Sequence, residues 1–133
     1  MTQLLSSRGV DISQRNFQQV IIRGDGKDQF NQIINQEISV LPPSKNLEVT
    51  INDKFMFAKN SFDQWSLVYL VEQNYKEVLK FITNINSNDE ILASDYSYGQ
   101  VYFEISGKNR NEFLNKLTHF DLRLKKFPAF SMA

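Results

Sequence analysis

The sequence has no cysteine and only one histidine, and both shortages narrow the chemistry open to the chain. Without cysteine there is no disulfide, no thiolate nucleophile and no cysteine-ligated zinc or iron–sulfur cluster. His119 alone offers little for a metal centre or for a serine–histidine pair. Its position near the end of a predicted helix favours a surface cap, because a partly charged imidazole complements the helix dipole. We expect no metal site and no catalytic residue.

An excess of charge of either sign is also missing, since 15 basic residues balance 15 acidic ones. The basic surface of a nucleic-acid-binding or membrane-surface protein is therefore not predicted. No apolar run is long enough to cross a membrane, and the N-terminus lacks the basic flank and apolar core of a signal peptide. We expect a cytoplasmic protein that binds neither nucleic acid nor membrane.

The chain is long enough for one hydrophobic core and too short for two independent ones, since it has 133 residues. We predict an N-terminal arm, residues 1–16, and a single α+β domain, residues 17–133. Within this domain, residues 17–95 are expected to form a first half and residues 96–133 a partial second half.

Hydrophobic periodicity and turn signals define the elements of the first half. A strand over 17–23 precedes a helix whose stripe of Phe30, Ile33, Ile34 and Ile38 faces a core. Leu41-Pro42-Pro43 should end that helix, because proline has no amide hydrogen to donate. Three extended segments follow, over 47–51, 54–59 and 65–71, and the turn residues 60–63 join the last two as a hairpin. A capping box over 74–77 then opens a second helix.

The second half is predicted from two strands and one further helix. The strands cover 90–95 and 99–106, and a helix opened at 109–112 is expected to bury Phe113, Leu114 and Leu117. The order predicts a ferredoxin-like β-α-β-β-α-β half followed by the start, a strand plus a helix, of a second similar half. Gly26-Lys27 and Gly107-Lys108 precede comparable helices, which suggests a weak internal repeat.

Several short segments of this sequence, taken in order, form the motif pattern of one protein family. The later segments comprise 93–101, 105–107, Phe113-Leu114, Leu117, Asp121-Leu122 and Phe127. The earlier ones are Ile22-Arg23-Gly24, Leu41-Pro42 with Asn46, and the aromatic hairpin that includes Phe62-Asp63-Gln64-Trp65. In their order these motifs resemble the gamma subunit of heterotetrameric sarcosine oxidase, and the resemblance extends over roughly residues 17 to 133. The family continues beyond the position of Ala133, so we expect this chain to be a truncated or fragmentary member.

The resemblance implies a non-catalytic structural subunit with the fold of the folate-binding aminomethyltransferase domain. In such complexes the partner alpha and beta subunits oxidise sarcosine, and the partners carry FAD, FMN and NAD. The incomplete second half and the apolar tail need cover from the first half, from a partner, or from a second copy when the chain is isolated. The predicted interface residues are Trp65, Phe62, Tyr102, Phe127 and Phe130.

Other interpretations stay open at this point. A folate-type small-molecule-binding domain is the alternative function, inferred from fold kinship alone. The Gly24–Lys27 segment could bind a phosphate at a helix N-terminus, although a turn that needs glycine is favoured. Asp95 and Asp121 could form an acid–base pair, although bonds to neighbouring backbone amides are favoured. The aromatic hairpin is assigned to a core or a protein interface rather than to an RNA-stacking surface.

Overall fold

The computed structural model describes residues 2–71, 75–118, 129 and 132, which contain two antiparallel sheets and three helices. The fold is thus mixed α+β, as the sequence predicts. The chain divides into two compact units, residues 17–99 with 130–133 and residues 1–16 with 100–129. In chain order the elements are β1 (Thr2–Ser7), β2 (Val10–Arg15), β3 (Gln18–Arg23), α1 (Asp28–Ile38), β4 (Val49–Ile51), β5 (Phe55–Ser61), β6 (Gln64–Tyr69), α2 (Tyr75–Asn86), β7 (Leu92–Asp95), β8 (Tyr102–Ser106) and α3 (Arg110–Asn115).

The 17–99 unit has the predicted ferredoxin-like arrangement. Its sheet has the order β4-β5-β6-β3-β7, and all neighbouring strands are antiparallel. Without the short edge strand β4, the chain order is β-α-β-β-α-β. The turns after β3 and β5 and the loop before β7 therefore meet at one end of the sheet. The end of α1 and the start of α2 lie at the other end.

The core of this unit lies between the sheet and its two helices. Alternate residues of the strands point to the helices, as the period of a strand requires. Each fully buried large apolar side chain contributes about 1.5–3 kcal/mol relative to exposure. The main contributors are Val20, Ile22, Phe57, Trp65 and Leu67 from the strands, and Phe30, Ile34, Val78, Phe81 and Ile85 from the helices.

Helix α1 follows the predicted stripe but ends before the prolines. Phe30 and Ile34 are buried, and Ile33 and Ile38 pack against the same core. Ser39 takes a left-handed conformation, φ 57°, and its amide donates to the carbonyl of Asn35. The helix is therefore terminated by its own C-cap.

The 1–16 and 100–129 unit contains strands that the sequence analysis did not predict. Residues 2–15 of the predicted arm, residues 1–16, form the hairpin β1–β2, whose two-residue loop has positive φ at both Arg8 (54°) and Gly9 (75°). Positive φ at both central residues is typical of the type I′ turn, whose twist matches that of the flanking strands. Strand β2 also pairs with β8, which gives a sheet of order β1-β2-β8.

The predicted burial of the last helix is wrong. Helix α3 has six residues, none of them buried, and Leu117 lies beyond its end with 68 % of its surface exposed. Phe113 and Leu114 are only half-buried. A helix of fewer than two turns that packs on a three-stranded sheet has too little apolar surface opposite it to enclose three large side chains.

Candidate functional sites

Trp65, a predicted interface residue, lies in the core of the 17–99 unit. Only 1 % of its surface is exposed, and its ring lies 4.6 Å from that of Phe30. The indole Nε1 donates to the carbonyl of Pro43 at 3.0 Å, and Lys59 Nζ lies 5.0 Å from the ring centroid. Trp65 is thus unavailable on the surface of this unit and takes the core role that the sequence analysis gave as the alternative.

Phe62 stands at the exposed tip of the β5–β6 hairpin, with 76 % of its surface accessible. The turn beneath it is fixed, because the carbonyl of Asp63 accepts from the Gly24 amide at 3.1 Å and Ser61 Oγ donates to the Asp63 carboxylate at 3.2 Å. A large apolar ring is thereby held on an ordered turn. Such a side chain can bind a partner with little loss of backbone entropy.

The glycines before α1 meet a packing requirement. Gly26 has φ 71°, and a Cβ atom there would approach the Trp65 ring to 2.9 Å. A Cβ on Gly24 would lie 2.4 Å from the Phe30 ring. The amide of Lys27 donates to Asp25 Oδ1 at 2.9 Å, so a carboxylate already occupies the position that an anion would take. These contacts support the turn over the phosphate site.

Asp95 is committed to a turn at the end of β7. Its Oδ1 accepts from both the amide (3.0 Å) and the hydroxyl (2.7 Å) of Ser97, and its Oδ2 accepts from the Tyr75 hydroxyl. Burial opposes ionisation, but the hydrogen bonds from Tyr75 and Ser97 outweigh it and lower the pKa of Asp95. The same bond to Asp95 raises the pKa of Tyr75. The favoured structural role of Asp95 agrees with this geometry.

Tyr102 lies on β8 in the other unit, on the polar face of the three-stranded sheet. Its hydroxyl donates to Gln100 Oε1 at 3.1 Å, and burial raises its pKa to about 12. The same face carries the ion pair between Arg15 and Glu104 at 2.8 Å. The opposite face is apolar and includes Phe103, which is 55 % exposed.

The glycine that ends β8 is also a packing position. Gly107 has φ 103°, and a Cβ atom there would lie 2.3 Å from the carbonyl oxygen of Gly9. Asn109 fastens this turn to the β1–β2 hairpin, since its amide donates to Gly9 O at 2.9 Å and its Nδ2 to Arg8 O at 2.7 Å. Gly107 is therefore comparable to Gly26, because each has a positive φ and no room for a Cβ atom.

The remaining predicted residues fall outside the described part of the chain. These are the interface residues Phe127 and Phe130, together with His119 and Asp121. Among the residues that are described, no group of three potential ligands could hold a metal ion. The described helices include none that is long and apolar enough to cross a membrane.

A cleft of about 400 Å³ that the sequence analysis missed lies at the end of the sheet opposite Phe62. We call it the α1–α2 cleft. The end of α1, the β4–β5 turn and the start of α2 enclose it, and its lining includes Glu37, Ser39, Asn52, Lys54, Phe55, Tyr69 and Glu77. Tyr69 is only 4 % exposed, and burial and the negative charge of Glu77 raise its pKa. The spacing of these residues in the sequence does not indicate a cleft, because they belong to separate elements.

This chain is similar in fold to a sarcosine oxidase chain. The matched structure is the heterotetrameric sarcosine oxidase from Corynebacterium sp. U-96 in complex with pyrrole 2-carboxylate, with a TM-score of 0.77 and 16 % sequence identity. The match covers 94 % of this chain and 64 % of that chain, so this chain spans less than two thirds of its length. No protein-family model and no curated protein matches the sequence.

At this level of identity the sarcosine oxidase likeness establishes the fold. It agrees with the sequence resemblance, which pointed to the same kind of complex from residue motifs. The candidate interface residues on described surfaces are Phe62 in one unit and Tyr102 in the other. The involvement of either residue in an interface stays a prediction.

Proposed function

We propose that this chain is a non-catalytic structural subunit of an oxidase complex of the sarcosine oxidase type. In this proposal the partner alpha and beta subunits carry out the oxidative demethylation of sarcosine, and the partners hold FAD, FMN and NAD. The observation that carries the proposal is the fold match to a chain of a heterotetrameric sarcosine oxidase over 94 % of this chain. The independent motif resemblance supports the gamma position within such a complex.

The local chemistry of the predicted acidic residues supports a structural role. Asp95 receives three hydrogen bonds, two from Ser97 in its own turn and one from Tyr75 at the start of α2, and Asp25 accepts from the amide of Lys27, the residue before α1. A general base needs a carboxylate that can reach a substrate proton. Both carboxylates instead serve to hold backbone turns in place.

The exposed apolar residues supply candidate contacts for assembly. Phe62 stands on a turn fixed by hydrogen bonds, and in the other unit Val101 and Phe103 are 63 % and 55 % exposed. Aromatic residues in ordered positions commonly provide most of the binding energy at an interface. We therefore assign the tip of the β5–β6 hairpin and the apolar face of the three-stranded sheet as the surfaces that contact partner chains.

Co-expression with the alpha and beta subunits of a sarcosine oxidase from the same source tests the proposal. We expect this chain to co-purify with the flavin-containing subunits, and the Phe62→Asp variant to be depleted from the complex. Leu41→Asp is the matched control, because Leu41 is also well exposed, at 61 %, and belongs to the loop that follows α1. Purification of this chain without the flavin subunits under conditions where a longer homologue assembles would contradict the proposal.

Calorimetry of the isolated chain with tetrahydrofolate addresses the folate-binding alternative separately. The structural-subunit proposal predicts no saturable heat. Saturable heat together with failure to co-purify would favour the small-molecule-binding domain instead.

A further inference from the structure

The wall of the α1–α2 cleft includes a buried polar side chain, Tyr69. None of the hydrogen bonds among the described residues involves the Tyr69 hydroxyl, although the residue is almost fully buried. Gln18, which is paired with Tyr69 across β3 and β6, does not line the cleft, but its Oε1 is buried without a hydrogen-bond partner in the described part of the chain. A buried polar atom that lacks a partner costs free energy, so such atoms commonly mark the place of a ligand or an ordered water.

The charges around the cleft favour a cation. Glu37 lies in the last turn of α1, which has no basic residue, so its carboxylate adds to the negative end of the helix dipole. Among the described residues, its carboxylate accepts a hydrogen bond from Asn84 Nδ2 at 3.2 Å. Glu77, in the first turn of α2, faces the same space. Neither glutamate forms an ion pair within the described residues, including one with Lys54 on the rim.

The lining indicates an organic cation in preference to a metal ion. The cleft combines two carboxylates with the ring of Phe55, which meets Tyr69 edge to face at a centroid distance of 5.1 Å. Metal sites need several ligating side chains converging on one point, and among the described residues no group of three does so. Carboxylates beside an aromatic wall suit an ammonium or guanidinium group on a short carbon chain.

We propose that the α1–α2 cleft binds a compact organic cation, an alkylammonium or guanidinium group, between Glu37 and Glu77 with Tyr69 at its inner wall. The volume of about 400 Å³ lies within the usual range for small-molecule pockets. The group is presented equally by a free small amine and by a lysine or arginine side chain of a partner chain. The proposal does not depend on membership in an oxidase complex, because it rests on contacts within one unit.

The test is an NMR titration of the full chain with n-propylammonium and with methylguanidinium at constant ionic strength. We expect saturable shifts of the resonances of Glu37, Tyr69 and Glu77, and none with n-propanol, which is the neutral counterpart. Glu77→Gln and Glu37→Gln should each weaken binding about tenfold, the usual effect of losing a charge-assisted contact. Glu90→Gln, a change of an exposed carboxylate outside the cleft, is the matched control and should leave the affinity unchanged.

Two further experiments test the contribution of the Tyr69 hydroxyl and the source of the cation. Tyr69→Phe keeps the buried ring and should weaken binding while leaving the melting temperature equal or higher. A capped Gly-Lys-Gly peptide that binds as well as n-propylammonium indicates a partner side chain, and exclusion of the peptide indicates a free amine. Non-saturating shifts with both cations, or shifts that survive in the Glu37→Gln/Glu77→Gln double variant, would overturn the proposal.

Discussion

Trp65 and Phe62 are three positions apart in the same hairpin, yet their environments are opposite. Trp65 points towards the helices, where its ring packs against Phe30 and its Nε1 donates to the carbonyl of Pro43. Phe62 lies in the turn, beyond the last residue of β5, and therefore has no opposing layer. The aromatic content of the hairpin was visible in the sequence. The face on which each ring lies depends on where the strand ends, and turn signals fix that boundary only to within a few residues.

Alanine at these two positions should therefore have unequal effects on stability. Trp65→Ala is expected to lower the free energy of unfolding by about 3–5 kcal/mol, because it leaves a large cavity and an unpaired carbonyl at Pro43. Phe62→Ala should change it by no more than about 0.5 kcal/mol. Urea denaturation of the isolated chain measures both. Equal losses would show that Trp65 does not hold the core together.

Asp95 should make the stability of the chain depend on pH. Its hydrogen bonds from Tyr75 and Ser97 lower its folded-state pKa below the unfolded value of about 3.9. The stabilisation is therefore present above the unfolded pKa and is lost as the pH falls through the folded pKa. Asp95→Asn should destabilise the chain at pH 7 and have a smaller effect near pH 2. Denaturation at both pH values measures this, and Ser94→Asn, a nearby exposed position, is the control.

At the scale of elements, periodic segments were predictable and sparsely buried ones were not. The α1 stripe and the β5–β6 hairpin follow from spacing, because each presents a continuous apolar face to the core. Strand β1 is not predictable from hydrophobic periodicity. All of its residues are exposed, so its sequence does not alternate between apolar and polar residues. The Arg8-Gly9 loop was also a weak signal, since arginine rarely adopts positive φ. The predicted burial at α3 is wrong because three apolar residues at helical spacing do not by themselves provide an opposing layer of structure.

The two glutamates of the α1–α2 cleft should have opposite effects on their own helices. Glu37 lies at the negative end of α1 and Glu77 at the positive end of α2. Without ligand, Glu37→Gln is expected to stabilise the chain by about 0.3–1 kcal/mol and Glu77→Gln to destabilise it by a similar amount. Thermal denaturation at low ionic strength measures the pair. The difference should shrink in high salt, and effects of the same sign would contradict the dipole argument.

At the scale of the whole molecule, the cleft was beyond the reach of sequence reasoning. Tyr69, Glu37 and Glu77 belong to three different elements, and only the ferredoxin-like topology brings the end of α1 next to the start of α2. None of these residues stands out in the sequence, because a strand tyrosine and two helix glutamates are ordinary in a soluble domain. The fold class was predictable because it depends on the order of the elements alone.

The two units should differ in protection from amide hydrogen exchange. In the unit of residues 17–99 the sheet and two helices enclose an extended apolar core, whereas in the other unit Val10 is the buried apolar residue among those described. Protection follows buried apolar contact, so amides of β3 and β6 should exchange only through global unfolding. Amides of β1, β2 and β8 should exchange much faster in the isolated chain.

Assembly with partner chains should reduce this difference if the apolar face of the three-stranded sheet is a contact surface. Binding stabilises the folded state of the surface it covers, by an amount that grows with the logarithm of the ratio of partner concentration to dissociation constant. Exchange measured on the co-purified complex should therefore show slower exchange in β8 than in the isolated chain, with Phe103→Glu abolishing the gain. Leu79→Glu, on the exposed side of α2, is the control substitution. Unchanged exchange in β8 within an intact complex would exclude this sheet from the interface and leave the hairpin tip as the assigned contact.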